Sequence, residues 1–296
     1  MIDPSIFLLS LFNGLLYASV LFLLSSGLNL IYGVMRIINL AHGNLFAFGA
    51  YICVWLLITY GLQSLPMPAW YVLPPLVGGA VAAGIAMVVE PTLLRPVYKR
   101  PEEFQLLVTF GVMLVLADLL LLIFGGIPIA AREPYFVMGF IDLGVANYPI
   151  YNFVIIGLGL GVAIFLWFLT YRTRFGTMLR ATSLDQSMAQ AMGVNVRRLM
   201  TLTFVLGSFI AGMAGAYLAI KDTATLTLGV ETLVLAFIVM VTGGLGSMKG
   251  AFVGALVVGY LRVLVTLLYP EAELMLLWLV TAGILLARPQ GLFGGR

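Results

Sequence analysis

Long stretches of this chain carry no charge, and nothing else limits its fold so much. Asp, Glu, Lys and Arg are all missing from Pro4–Met35, Ile37–Val89, Leu143–Tyr171 and Leu199–Ile220. A soluble fold needs polar surface along its elements. The hydrocarbon layer of a bilayer instead takes about 20 successive apolar residues per helix. Backbone groups find no water there, so each run must satisfy its own hydrogen bonds as helix. Composition agrees: 62% of the 296 residues are hydrophobic and 9% are charged, against about 25% charged in soluble domains.

The apolar runs place spans near 5–31, 44–62, 70–90, 105–125, 148–171, 199–220, 232–248, 250–269 and 274–288. Gly61, Gln63, Ser64, Pro66 and Pro68 divide the longest run into two. The last three spans are short, and any of them can be a half-helix or a tilted segment. The expected fold is an all-α polytopic membrane protein of about 8–9 transmembrane helices, one domain over 1–296. Asp3 and the lack of a basic leader argue against a cleaved signal peptide, so the first span is expected to be retained.

The charges choose an orientation. With 95–104 in the cytoplasm, Arg36, Arg95, Lys99, Arg100, Arg172, Arg174, Arg180, Arg197, Arg198, Lys249, Arg288 and Arg296 lie inside. Arg132 and Lys221 lie outside, and Arg262 falls within a span. Positive charge stays on the cytoplasmic side, which puts the N-terminus outside and the C-terminus inside. The net charge of +3 therefore reflects basic membrane loops rather than a nucleic-acid partner. The single cysteine, Cys53, excludes an intrachain disulfide and a cysteine-based metal cluster.

The longest basic loop, 172–198, carries a short helix. Ser183 and Gln186 have the spacing of a capping box. Asp185 suits the first turn, and Gly193 after Met192 suits a left-handed stop. Leu184, Met188, Ala191 and Met192 share one face, and Asn195 is placed to cap the next helix. So short a helix needs a surface to bury its stripe. Two surfaces offer themselves: the membrane interface, or a groove on a cytoplasmic partner. Aromatic anchors and lysines are missing between Ser183 and Gly193, which favours the partner. The chain has no G-x-x-x-x-G-K-[ST] loop for phosphates, so ATP chemistry would have to come from a separate subunit.

Polar residues gather in two glycine-rich stretches. Gly27–Asn44 holds Asn29, Arg36, Asn39, His42 and Gly43; Thr242–Gly250 holds Gly243, Gly244, Gly246 and Ser247. Each is followed by similar text, FAFGAY at Phe46–Tyr51 and AFVGAL at Ala251–Leu256, a weak internal repeat of the kind that builds transporters. Asn29, Asn39, His42, Gly43, Gly243, Gly244, Gly246 and Ser247 are therefore candidates for the translocation path; two ordinary turns are the other reading. His42, the one histidine, reads as a hydrogen-bonded structural residue. Asp118 and Arg262 fall at similar depth in their spans, where an ionised group costs about 2.5–3.5 kcal/mol, and are expected to pair. Glu90, before Pro91, is expected to be solvated. H-E-x-x-H and G-x-S-x-G motifs are absent, and no carboxylate pair has catalytic spacing, so the chain is not expected to be an enzyme or to carry a cofactor or metal.

Four stretches, GLNLIYGVMRIINLAHGNLFAFGAY (27–51), RTRFGTMLRATSLDQSMAQAMGVNV (172–196), GGLGSMKGAFVGA (243–255) and RPQGLFG (288–294), closely resemble the permease family of branched-chain amino acid ABC importers, LivH type. The likeness covers nearly the whole chain. It implies a second, related permease (LivM type), two cytoplasmic ATPases, and an extracytoplasmic binding protein that delivers leucine, isoleucine or valine. The family's coupling segment falls on Arg180, Ala181, Asp185, Ala189 and Gly193, in agreement with the docking helix. Arg180-Ala181-Thr182 stands where other importers often show Glu-Ala-Ala. Related permeases move urea, short amides or other amino acids. An ion-coupled secondary transporter is the competing class; it would want more ionisable groups than Asp118, Arg262 and His42.

Overall fold

The charge-free runs end in the structure where a cap, a proline or a charge meets the chain. The computed structural model describes residues 4–61, 66–144 and 147–294; Asp3, Gln63, Ser64 and Arg296 lie outside the described residues. Helix α1 (Pro4–Met35) and α2 (His42–Leu56) fill the first two runs, and α2 runs on as one wide turn, Leu57–Gly61. A short helical turn, Met67–Trp70, precedes α3 (Leu73–Val89). Pro74 and Pro75 sit in the first turn of α3, where amide donors have no intrahelical partner anyway. Wide and tight turns over Glu90–Leu94 and Arg95–Val97 follow, then α4 (Glu102–Phe124).

A short helix, Glu133–Val137, and a hairpin of β1 (Phe140–Asp142) on β2 (Asn147–Pro149) lead to α5 (Ile150–Arg172). Next come α6 (Arg174–Leu184), α7 (Gln186–Ala191) and α8 (Val196–Lys221). The last three helices are α9 (Leu228–Gly243), α10 (Met248–Leu268) and α11 (Glu273–Ala287). Among the described residues, 7 helices are long and apolar enough to cross a membrane, and Leu228–Gly243 and Met275–Ala287 are shorter apolar helices. The fold is all-α and polytopic. Of the three late spans read as short, α10 is a full-length one of 21 residues.

Helix α8 sits at the centre, packed on α1, α2 and α3. Helix α1 also packs on α5, α9 and α10, while α4 packs mainly on α2 among the described residues. The long helices alternate in direction, so two ends can be told apart. Arg36 donates to Ser183 O at 3.5 Å, Arg95 to Thr201 Oγ1 at 2.7 Å, and Lys249 lies 5.9 Å from the Tyr171 ring, all at one end. Arg132 donates to Thr223 Oγ1 at 3.1 Å, and Lys221 and Arg262 both face Tyr17, at the other. The crowded basic end is the inner one by the distribution of positive charge. The outer end is tied by tyrosines: Tyr71 donates to Pro134 O, Tyr217 to Tyr71 O, and Tyr151 to Tyr217 O, at 2.7–2.8 Å.

Candidate coupling and translocation site

The inner loop between α5 and α8 is built from successive caps. Thr173 takes an extended conformation and its Oγ1 accepts from Gly176 N at 3.2 Å, which starts α6 at once after α5. This early start changes the role of Ser183. It lies in the last turn of α6, and its hydroxyl donates back to Arg180 O at 2.8 Å. The expected capping box at Ser183 and Gln186 is therefore not formed. The cap passes to Asp185, whose Oδ1 accepts from Met188 N at 2.9 Å. A carboxylate suits that position, since the start of a helix carries partial positive charge. Gly193 takes φ +88; its N–H donates to Gln190 O and that of Val194 to Ala189 O, both at 3.0 Å, a glycine stop that satisfies the last carbonyls. Asn195 Oδ1 accepts from Arg198 N at 3.1 Å and opens α8.

The face presented by this loop is apolar and uncovered. Leu184 is 88% exposed, Met192 79% and Met188 61%. Ala181, Asp185 and Gly193 are exposed as well, whereas Ala189 is buried beneath them. The ledge is held from behind. Arg36, itself left-handed at φ +55, reaches Ser183 O, and Gln186 Nε2 donates to Val34 O at 3.4 Å. Arg180 Nη1 donates to Thr170 O at the end of α5. The ledge is thus fastened to α1 and α5 and leads through the Gly193 stop and the Asn195 cap into α8.

The eight path candidates do not stay together. Asn29 Oδ1 accepts from Gly246 N at 2.7 Å and its Nδ2 donates to Ser247 O at 3.3 Å. The two glycine-rich stretches therefore meet, each as an inner-end joint between two helices. Asn29, Gly246 and Ser247 line a cavity of about 300 Å³ shared with Arg180 and Lys249. Asn39, His42 and Gly43 are buried in the core instead. His42 Nε2 lies 3.2 Å from Leu24 O, a structural contact, and a Cβ on Gly43 would overlap the Gly229 carbonyl oxygen. Gly243 and Gly244 are covered by the chain's own end: Leu292 N donates to Thr242 O and Phe293 N to Gly243 O, both at 2.9 Å. The RPQGLFG motif thereby satisfies carbonyls left open at the end of α9.

Two charge assignments change. Arg262 does not pair with Asp118. Its Nε donates to Glu273 Oε1 at 2.6 Å across the turn into α11, while Asp118 is exposed on α4. Equal depth says nothing of neighbours: α4 packs on α2, and α10 on α1 and α9. Glu90 is not solvated but fully buried. It accepts from Arg95 Nη2 at 2.7 Å, Arg95 Nε at 3.2 Å, Tyr98 Oη at 2.6 Å and Thr201 Oγ1 at 2.7 Å. Burial, then the adjacent Glu90, holds the Tyr98 phenol well above the ordinary tyrosine range. This cluster joins the end of α3 to the first turns of α8. The five-residue spacing of Glu90 and Arg95 was its only mark in the sequence; Thr201 comes from far along the chain.

A family model described as branched-chain amino acid transport system, permease component, matches residues 10–286. The chain belongs to this permease family. It is similar to the high-affinity branched-chain amino acid transport system permease protein LivH of Escherichia coli K12, 28% identical over 97% of this chain and 96% of that one. The permease protein BraD of the corresponding system in Pseudomonas aeruginosa is 28% identical over 86% and 84%. A probable LivH of Methanocaldococcus jannaschii is 26% identical over 86% and 79%. No solved structure matches the chain. As a permease component it is a membrane transport subunit, and its apolar helices place it in the cytoplasmic membrane.

Proposed function

We propose that this permease forms half of the membrane channel of an ATP-driven importer of leucine, isoleucine and valine. Its partners on this reading are a second, LivM-type permease, two cytoplasmic ATPase subunits and an extracytoplasmic amino-acid-binding protein. The observation that carries the proposal is the ledge of Leu184, Met188 and Met192, large apolar side chains held outward at the basic end of the bundle. Stable apolar surface of this kind marks a partner site, and a short helix entering a groove is a recurrent mode of docking. Arg180, Ala181, Ser183, Asp185, Ala189 and Gly193 frame the ledge and fix its shape.

The attachments supply a route for motion. A push on the ledge reaches α1 through Ser183 and Gln186, α5 through Arg180, and α8 through Asn195. It reaches α3 through the Glu90 cluster. Asn29, Gly246 and Ser247 are the path candidates with open space beside them. Asn39, His42, Gly43, Gly243 and Gly244 would join a path only after the helices separate. Ion-coupled transport finds little support, because the one histidine is locked in the core. Urea, short amides and other amino acids remain alternative cargo, decided by the binding protein.

The test is assembly. Leu184→Asp with Met188→Asp is expected to abolish co-purification of the ATPase subunits while the permease stays in the membrane at its usual level. ATPase retained at wild-type yield would rule out the ledge as the docking surface.

A further inference from the structure

At the outer end a cavity of about 720 Å³ opens between α1, α8, α9 and the α10–α11 turn. That lies within the range of small-molecule sites, about 300–1,000 Å³. One wall is aliphatic, with Val20, Leu21, Leu24 and Leu235. The rim is charged, with Asp222, Glu231, Arg262, Glu271 and Glu273. Arg262 is held in one orientation from two sides. Its Nε is bound to Glu273 Oε1 at 2.6 Å, Glu273 Oε2 accepts from Thr266 Oγ1 at 3.0 Å, and the guanidinium lies 4.5 Å from the Tyr17 ring centroid. Neither Nη of Arg262 has a hydrogen-bond partner among the described residues. The carboxylate of Glu231, in the first turn of α9, is exposed and makes no hydrogen bond or ion pair among them either.

The geometry points to this cavity as the site that receives the free amino acid as a zwitterion, an inference that rests on the transport reading above. The carboxylate meets the Nη edge of Arg262, whose planar fork matches it. The ammonium meets Glu231, and the branched side chain lies on the aliphatic wall. An ion pair that only pinned α10 to α11 would need neither the open Nη edge nor the unpaired carboxylate opposite an apolar wall.

Val230 lines the same cavity and is 46% exposed, while the native Cys53 is buried. A Val230→Cys variant therefore reports on the cavity by maleimide labelling. The complete transporter in proteoliposomes is labelled without binding protein, in the presence of L-leucine or L-leucinamide. ATP-driven uptake of L-leucine is measured in parallel on the unaltered transporter with its binding protein. Uptake should be present, L-leucine should slow labelling, and L-leucinamide, which lacks the carboxylate, should not. Adding Glu231→Gln should raise the protecting concentration of L-leucine roughly tenfold, the loss of one charge-assisted hydrogen bond. Uptake with no protection, or with equal protection by L-leucinamide, overturns the site and leaves the transport reading standing. Absence of uptake by the unaltered transporter overturns the transport reading, and the site with it.

Discussion

The central helices α2 and α8 and the peripheral helices α4 and α5 look alike as apolar runs but face different surroundings. Protein buries 72% of the α8 span and only 22% of the α4 span. The central pair is the less greasy of the two, with glycine, alanine, serine and threonine where α4 has leucine. The difference shows what holds a bundle together in lipid. Tails are as apolar as leucine, so helices associate through close backbone approach and buried polar contacts rather than by escaping water. Gly43 meets Gly229, Gly49 meets Gly212 and Gly27 meets Gly207, each at a distance that leaves no room for a methyl group. Gly111 on α4 and Gly157 on α5 have nothing within 4 Å.

The sharpest way to break this contrast is Gly43→Val. The new side chain strikes backbone on α9, which cannot move aside as a rotamer would. Folded protein recovered from membranes is expected to fall below detection by size-exclusion chromatography. A normal monodisperse peak would show that α2 and α9 are not locked at this point. Glu90→Ala comes next. It strips the acceptor from Arg95, Tyr98 and Thr201, and breaking a buried ion pair costs about 3 kcal/mol at the low end. The low end applies because the Arg95 side chain is 34% exposed and can turn to water. The check is a thermal melt in detergent, and an unchanged midpoint would mean the cluster does not brace α3 against α8. The smallest effect is at the periphery. Gly111→Ala should be neutral or stabilise by up to about 1 kcal/mol, the difference in helix propensity. A clear loss in the same melt would place a partner helix against α4 and move it out of the peripheral class.

Helix capping was partly legible along the chain. Gly193 and Asn195 act as their residue types suggest, because a left-handed stop and an N-cap need only neighbours. Ser183 misled because helix α6 had already begun at Thr173, and two caps cannot serve one start. The two glycine-rich stretches read alike along the chain, but their fates differ. Asn29 is joined to Gly246 by a fold that crosses most of the sequence, and His42 is sealed off by the same packing. Arg262 found Glu273 eleven residues away rather than Asp118, since the turn after α10 brings that carboxylate back along the helix.

By itself the sequence determined that this chain crosses a bilayer many times, which end collects positive charge, and where an apolar ledge leaves the membrane. Those properties follow from local hydropathy, capping and charge, each read within a few residues. The tertiary structure alone decided which helices are central, which polar residues are sealed in the core, and that a charged rim and an aliphatic wall share one cavity. Lipid and protein interior are both apolar surroundings, so an apolar run satisfies either one, and only the packing of distant helices determines which of the two it meets.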